Sequence, residues 1–221
     1  MQKIINKATL AEQAYEYIKE MILTGELQPG QELPEEKLAA ELGISRTPLR
    51  EALKRLAADA LIDLRKTRPA IVAEFTHEDV KEIMELRRLL EIHSLGYMST
   101  SDQRRVAHEL KQILAAQWQA INKEDFISFM DKDQEFHNVL YQDIPNRRLK
   151  EMIHTINTGG SRAFLFLSDT IHDSATEAYH EHVAILKALE EENLEKAKVK
   201  MEIHLANIEK RLLKYIKQEE L

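Results

Sequence analysis

Cysteine is absent from the 221 residues, which excludes disulfide frameworks, cysteine-ligated zinc and thiol catalysis. Glycine and proline number only 6 and 5, which argues against a turn-rich β-sandwich and for long helices. Long apolar runs are lacking too. Stretches such as Phe164–Leu167 are far too short to span a bilayer, and Met1–Lys7 holds no signal-peptide core. The expected location is therefore the cytoplasm, with no membrane partner. Nor is there an excess of positive charge: the net charge of −7 at first speaks against nucleic acid. What is present, 43% hydrophobic and 31% charged residues, is the balance of a chain with a packed core.

The average charge conceals an asymmetry. Residues 1–75 carry a net −1 and residues 76–221 a net −6. Within Ile44–Ala70, seven basic residues (Arg46, Arg50, Lys54, Arg55, Arg65, Lys66 and Arg68) face three acidic ones, a local +4 that suits phosphate. An ordinary solvated face explains the same charges, so charge alone does not decide. All nine histidines lie at or after His77. The expected domains are 1–75 and 76–221, with different chemistry in each.

Thr9-Leu10-Ala11-Glu12 is a capping box that opens a helix with the apolar stripe Leu10, Ala14, Tyr17/Ile18, Met21, ending near Gly25. Pro34, followed by Glu35 and Glu36, suits the start of a second helix that closes at Gly43. Ser45 is placed to cap a third helix, in whose first turn Pro48 is tolerated. Leu49, Leu53 and Leu56 form its inner stripe. Leu61–Leu64 and Ala70–Phe75, separated by Arg65-Lys66-Thr67-Arg68-Pro69, suit a two-stranded wing with a basic tip. Helix, tight turn, helix and hairpin in this order make a winged helix-turn-helix. Its second helix places N-terminal residues in the major groove of double-stranded DNA. Here those are Ser45, Arg46, Thr47 and Arg50. Arg46 and Arg50 share a helix face, and arginine donates two hydrogen bonds to guanine.

From Thr76 onward only helical periodicity is found. Thr76-His77-Glu78-Asp79 is a second capping arrangement, for a helix running to about Met98. Further helices fit Asp102–Ile121, Glu124–Tyr141, Arg147–Leu167, Ser174–Glu190 and Leu194–Gln218, with Gly159-Gly160 placed to bend or interrupt the fourth. Six helices with short connections form an antiparallel bundle, so the fold class is mainly α. Three inner stripes contain unexpected residues: Asp133 and His137 on one helix, His182 and His204 on two others. Buried carboxylates need a partner or a metal, and one aspartate with three imidazoles suits zinc, nickel, manganese or iron. From periodicity alone a metal site and a hydrogen-bonded network remain equal readings. His77, His108, His154, His172 and His180 fall off the stripes or lack a partner and read as solvated, while His93 is open.

Two segments carry a resemblance. Leu38-Ala39-Ala40-Glu41-Leu42-Gly43-Ile44-Ser45-Arg46-Thr47-Pro48-Leu49-Arg50-Glu51-Ala52-Leu53 resembles the DNA-reading segment of GntR-family transcription regulators. The resemblance implies operator contacts by Arg46, Thr47 and Arg50, with Ser45 assisting. Ala60 stands where the family usually has glycine before the wing, and Pro69 where the tip usually has glycine. Glu36 and Lys37 stand near a position where some members place a DNA-contacting arginine; no role is assigned to either.

Asp133-Gln134-Glu135-Phe136-His137-Asn138-Val139-Leu140, Glu181–Leu189 and Met201–Leu205 resemble segments of the FCD effector domain, carried by the FadR-type branch. Six helices rather than seven resemble its VanR-like subgroup. This resemblance implies a divalent ion, zinc first with nickel or manganese as alternatives, held by Asp133, His137, His182 and His204. It also implies a small carboxylate effector beside the ion, clamped by Arg87. A surface or interface role for Arg87 is the competing reading.

Together these features predict a homodimeric, ligand-responsive DNA-binding transcription regulator that is not an enzyme. The chief rival is a metal-dependent hydrolase or oxygenase using the Asp/His site. No nucleophile motif, phosphate loop or nucleotide fingerprint supports turnover. A sequence-independent architectural DNA binder is the other rival, and overall acidity argues against it.

Overall fold

The computed structural model describes residues 8–74, 76–163 and 171–215 of the chain. It divides into two compact units, Met1–Glu74 and Phe75–Leu221.

The first unit holds α1 (Leu10–Leu23), β1 (Glu32–Leu33), α2 (Glu35–Leu42), α3 (Arg46–Ala58), β2 (Ile62–Asp63) and β3 (Ala70–Val72). Thr9 and Glu12 form the reciprocal capping box at the start of α1. Gly43, at φ 65°, ends α2 in the left-handed region where a β-carbon is disfavoured. Ser45 occupies the cap position of α3, but its side chain makes no cap hydrogen bond and is exposed, contrary to the expected cap. Pro34 stands at the start of α2 as its cap residue, with Glu35 and Glu36 in the first turn as expected. Ile18 and Ile22 of α1 and Leu49, Ala52, Leu53 and Leu56 of α3 are buried with Leu61, Ile62 and Val72. Each large aliphatic side chain so buried contributes about 1.5–3 kcal/mol.

The sheet has three strands rather than two, in the order β1-β3-β2, all antiparallel. Glu32 pairs with Ile71, and Ile62 with Val72. A two-residue strand such as β1 is too short for an alternating pattern, so it was invisible in the sequence. Ala60 sits at φ 53°, just before the wing. That left-handed backbone explains why glycine suits this position and marks Ala60 as strained.

The second unit begins with α4 (His77–Arg87), capped reciprocally by Thr76 and Asp79. A π-helical turn (Arg88–Ile92) and the short α5 (His93–Leu95) continue it. Then follow α6 (Thr100–Asn122), α7 (Phe126–Tyr141), α8 (Arg147–Ala163), α9 (Ile171–Glu190) and α10 (Leu194–Tyr215). The expected ends of the fourth and sixth helices, Leu167 and Gln218, lie outside the described residues. So do Phe75, at the expected end of the wing, and the His172 side chain. Gly159-Gly160 neither ends nor interrupts α8, which passes through both. α6 packs on α7 and α9, and α10 on α9 and α4. Leu110, Phe129, Phe136, Ile185, Leu189, Met201 and Leu205 fill the centre.

Candidate functional site

Ser45, Arg46, Thr47 and Arg50 are all exposed on the N-terminal part of α3. Arg46 pairs with Glu36, and the Arg50 Nε donates to Glu35 Oε2 at 2.8 Å. Both carboxylates stand in the first turn of α2, where the helix dipole favours negative charge. Within the wing, Arg65 is committed to structure. Its Nε donates to the Pro69 carbonyl and its Nη2 to Glu32 Oε1, each at 2.7 Å. Pro69 thus supplies a brace for the tip, leaving Lys66, Thr67 and Arg68 exposed.

In the second unit the periodic stripes converge. His137 from α7, His182 from α9 and His204 from α10 are wholly buried, and one ring nitrogen of each lies within 4.8 Å of the others. His182 Nε2 is 3.3 Å from His204 Nε2, which is 3.4 Å from His137 Nε2. Asp133 joins through His182, its Oδ1 lying 3.6 Å from that Nε2. Phe136 stacks on the His182 ring at 3.9 Å between centroids.

The outer nitrogens explain what the inner ones can do. His137 Nδ1 donates to Glu91 Oε2 at 3.1 Å, and His204 Nδ1 to Glu181 Oε2 at 2.7 Å. Ionised carboxylates only accept, so both rings carry their proton on Nδ1 and turn a lone pair inward at Nε2. Gln117 Oε1 faces His182 Nδ1 at 3.1 Å and favours the same tautomer. Burial pushes the His182 pKa well below its ordinary value and that of His204 down as well, so neither ring adds a proton to relieve the contact. Lone pairs facing each other at such distances repel unless a cation sits among them. The donor set therefore fits a divalent ion better than a self-contained hydrogen-bonded network, and the cluster is one that can hold a metal.

Arg87 is fully buried, not at the surface. Its Nε donates to Glu91 Oε1 at 2.7 Å, while its buried Nη2 has no hydrogen-bond partner among the described residues. Glu91 also accepts from the Tyr141 hydroxyl at 2.7 Å. Burial would raise the Glu91 pKa, but Arg87 and His137 hold it far below the usual carboxylate range. The Tyr141 hydroxyl is pushed well up by burial and by the Glu91 charge. Glu181 follows the same logic: burial opposes ionisation, yet hydrogen bonds from His204 and Arg211 lower its pKa to about 2.

Sequence reasoning missed Glu91, Gln117 and Glu181. Two of them left a signal. Val80, Met84, Arg87 and Glu91 form one helical stripe that turns ionic, and Gln117 interrupts the apolar stripe of α6. Glu181, one residue before a stripe position, left none. His77, read as solvated, is half-buried against the Leu213 carbonyl at 3.1 Å. His93, His108, His154 and His180 are exposed.

The comparisons with known proteins agree with both halves. The family model described as bacterial regulatory proteins, gntR family, matches residues 10–72, and that of the FCD domain matches residues 82–207. The chain belongs to the GntR family. It is 29% identical to the HTH-type transcriptional regulator LutR of Bacillus subtilis (strain 168), over 90% of this chain and 99% of that protein. It is also 29% identical to the gluconate operon transcriptional repressor of the same organism, over 83% of this chain and 74% of that protein. A crystal structure of a GntR regulator from Rhodococcus sp. RHA1 matches in fold, with a TM-score of 0.76 and 24% identity over 94% of this chain and 99% of that one. The relatives of this GntR-family chain are transcription regulators rather than enzymes, which removes the hydrolase or oxygenase reading. Among the described residues no helix is long and apolar enough to cross a membrane.

Proposed function

We propose that this GntR-family regulator binds operator DNA through residues 1–75 and senses a small carboxylate through residues 76–221. Arg46 and Arg50 read base edges, Thr47 and Ser45 contact bases or phosphates, and Lys66 and Arg68 lie near the backbone. Asp133, His137, His182 and His204 hold a divalent ion, zinc first, with nickel or manganese as alternatives. When bound, it supplies an electrophilic position for an anionic ligand. Such a regulator works in the cytoplasm.

The observation that carries the sensing half is the buried Arg87 Nη2, which has no hydrogen-bond partner among the described residues. A buried donor without an acceptor costs about 1–3 kcal/mol, so an arriving oxygen anion gains more here than at the surface. Glu91 accepts from both Arg87 Nε and His137 Nδ1, so the guanidinium lies beside the histidine cluster. A carboxylate is the ligand class that matches a guanidinium fork.

The chain acts as a homodimer, because helix-turn-helix units commonly read paired half-sites. In support, α10 packs on α4 and on the π-helical turn that follows it, and Leu86 of α4, Leu89 of the turn and Val199 and Ile203 of α10 are exposed. Effector binding shifts the balance between arrangements of the DNA-binding units by binding them with different affinity.

A thermal-shift screen of organic acids, with and without added zinc, tests the sensing reading. An acid that raises the melting temperature of the parent chain but not of Arg87→Ala supports it. Equal stabilisation of both chains places the effector elsewhere.

A further inference from the structure

Asn157 of α8 is buried, at 1% exposure, and so is Ile153 one turn before it. α8 packs chiefly on α4, α7 and the π-helical turn, so its buried face is covered by the elements that carry Arg87, Asp133, His137 and Glu91. Neither the amide nitrogen nor the carbonyl oxygen of Asn157 has a hydrogen-bond partner among the described residues. Each buried polar group left unmet costs about 1–3 kcal/mol, and leucine, of similar shape, would avoid that cost.

Asn157 also stands at the level of the histidine cluster. The short connection 142–146 turns the chain back between α7 and α8. Asp133 lies eight residues before Tyr141, and Asn157 ten residues after Arg147. At helical rise these are roughly 12 and 15 Å from the connection, less than one turn apart. Arg87 Nη2 is another buried atom without a partner among the described residues, and Glu91 ties Arg87 to His137. Two buried side chains with unmet groups, one on α4 and one on α8, thus stand on elements around that cluster.

We propose that Asn157 is a specificity residue of the effector site and that the effector is a hydroxy acid, its carboxylate on Arg87 and a hydroxyl on Asn157. This rests on the reading that Arg87 receives a carboxylate.

The donors and acceptors decide between ligand classes. Arg87 only donates, which suits a carboxylate. Asn157 Oδ1 only accepts and its Nδ2 only donates, so their ligand must offer both a hydrogen and a lone pair. A hydroxyl offers both. An unsubstituted alkyl chain offers neither and leaves the amide stranded. An ammonium offers hydrogens alone, and as a cation it is repelled by Arg87.

The test is calorimetric titration of the zinc-loaded full chain with matched acids. These are 2-hydroxypropanoate against propanoate, 2-hydroxysuccinate against succinate, and 3-hydroxybutanoate against butanoate. The ammonium class is represented by 2-aminopropanoate and 2-aminosuccinate. At least one hydroxy acid binds the parent chain about tenfold or more tightly than its unsubstituted partner. Asn157→Leu lowers that ratio below about twofold and leaves the affinity for the unsubstituted acid unchanged. Asn157→Ala shows the same loss of ratio and keeps the test open if leucine is too bulky to fold. A preference that survives both substitutions arises at the metal ion and would overturn the proposal. Tighter binding of the amino acids than of the hydroxy acids would overturn it too. Arg87→Ala separates the two readings. If it abolishes binding of a pair that the parent chain binds equally, the carboxylate clamp stands and only the Asn157 role falls. If it leaves binding intact, or if no acid of the set binds the parent chain, the clamp falls with it.

Discussion

Two Arg–Glu pairs of nearly equal length sit in the two halves of this chain, and their surroundings give them opposite meanings. Arg50 and Glu35 are 2.8 Å apart at the surface of the first unit. Arg87 and Glu91 are 2.7 Å apart in the second, with side chains 2% and 1% exposed. In water such a pair makes and breaks at little cost, so its arginine remains available for another partner. In the interior neither charge can leave without stranding the other. The first unit thus carries its chemistry on exchangeable surface groups. The second builds its chemistry on fixed buried ones, with Glu91 tying Arg87, His137 and Tyr141 into one network.

The sharpest way to break this comparison is to remove one acid from each pair. Glu91→Ala is expected to cost about 3–5 kcal/mol, because it strands a buried guanidinium. Glu35→Ala should cost no more than about 1 kcal/mol. Urea unfolding of the two variants measures both, and similar midpoints would show that burial does not separate the pairs.

Metal loading gives the next largest effect. Zinc at a hundredfold excess over its dissociation constant should stabilise the parent chain by about 2.7 kcal/mol. His204→Ala should show little of this gain in the same melts. A full gain in that variant would place the ion away from the histidine cluster.

On the exposed side, Arg46→Ala and Arg50→Ala should each weaken operator binding by about 1–3 kcal/mol and relax specificity at one base pair. Their unfolding midpoints should stay within about 0.5 kcal/mol of the parent. Loss of stability without loss of operator affinity would reverse the roles assigned to the two units.

The most gradual contrast is with pH. His182 and His204 have pKa values lowered by burial, from an ordinary 6.5. Below that value the unfolded chain binds protons that the folded one refuses, so stability of the metal-free second unit is full above about pH 6.5 and declines as pH falls. Glu181, lowered from 4.5 to about 2, adds a second decline between those values. The first unit has no buried histidine and should lack the upper step. A flat profile from pH 7.5 to 5.5 in calorimetry would count against neutral, buried imidazoles.

How much of this was legible in the sequence follows the same division. The helix-turn-helix was readable because its parts are local: the capping box at Thr9, the Gly43 turn, the leucine stripe of α3. The histidine site was readable up to its stripes, since Asp133, His137, His182 and His204 occupy inward positions on three helices. Periodicity gives a face but not a distance, so convergence of the three rings became evident only in three dimensions. Glu181 lies beside its stripe rather than on it. The π-helical turn at Arg88–Ile92 left no signal in the apolar pattern. The pairing of Arg46 and Arg50 with Glu36 and Glu35 joins separate helices, which one-dimensional spacing cannot express.

The central claim is that three buried imidazoles share inward lone pairs because a divalent ion belongs among them. Elemental analysis of the chain purified without a histidine tag tests it most directly. The account predicts about one divalent ion per chain at neutral pH, with occupancy falling as the imidazoles protonate and lost in His182→Ala. A folded, metal-free chain that takes up none of zinc, nickel or manganese at neutral pH would contradict it.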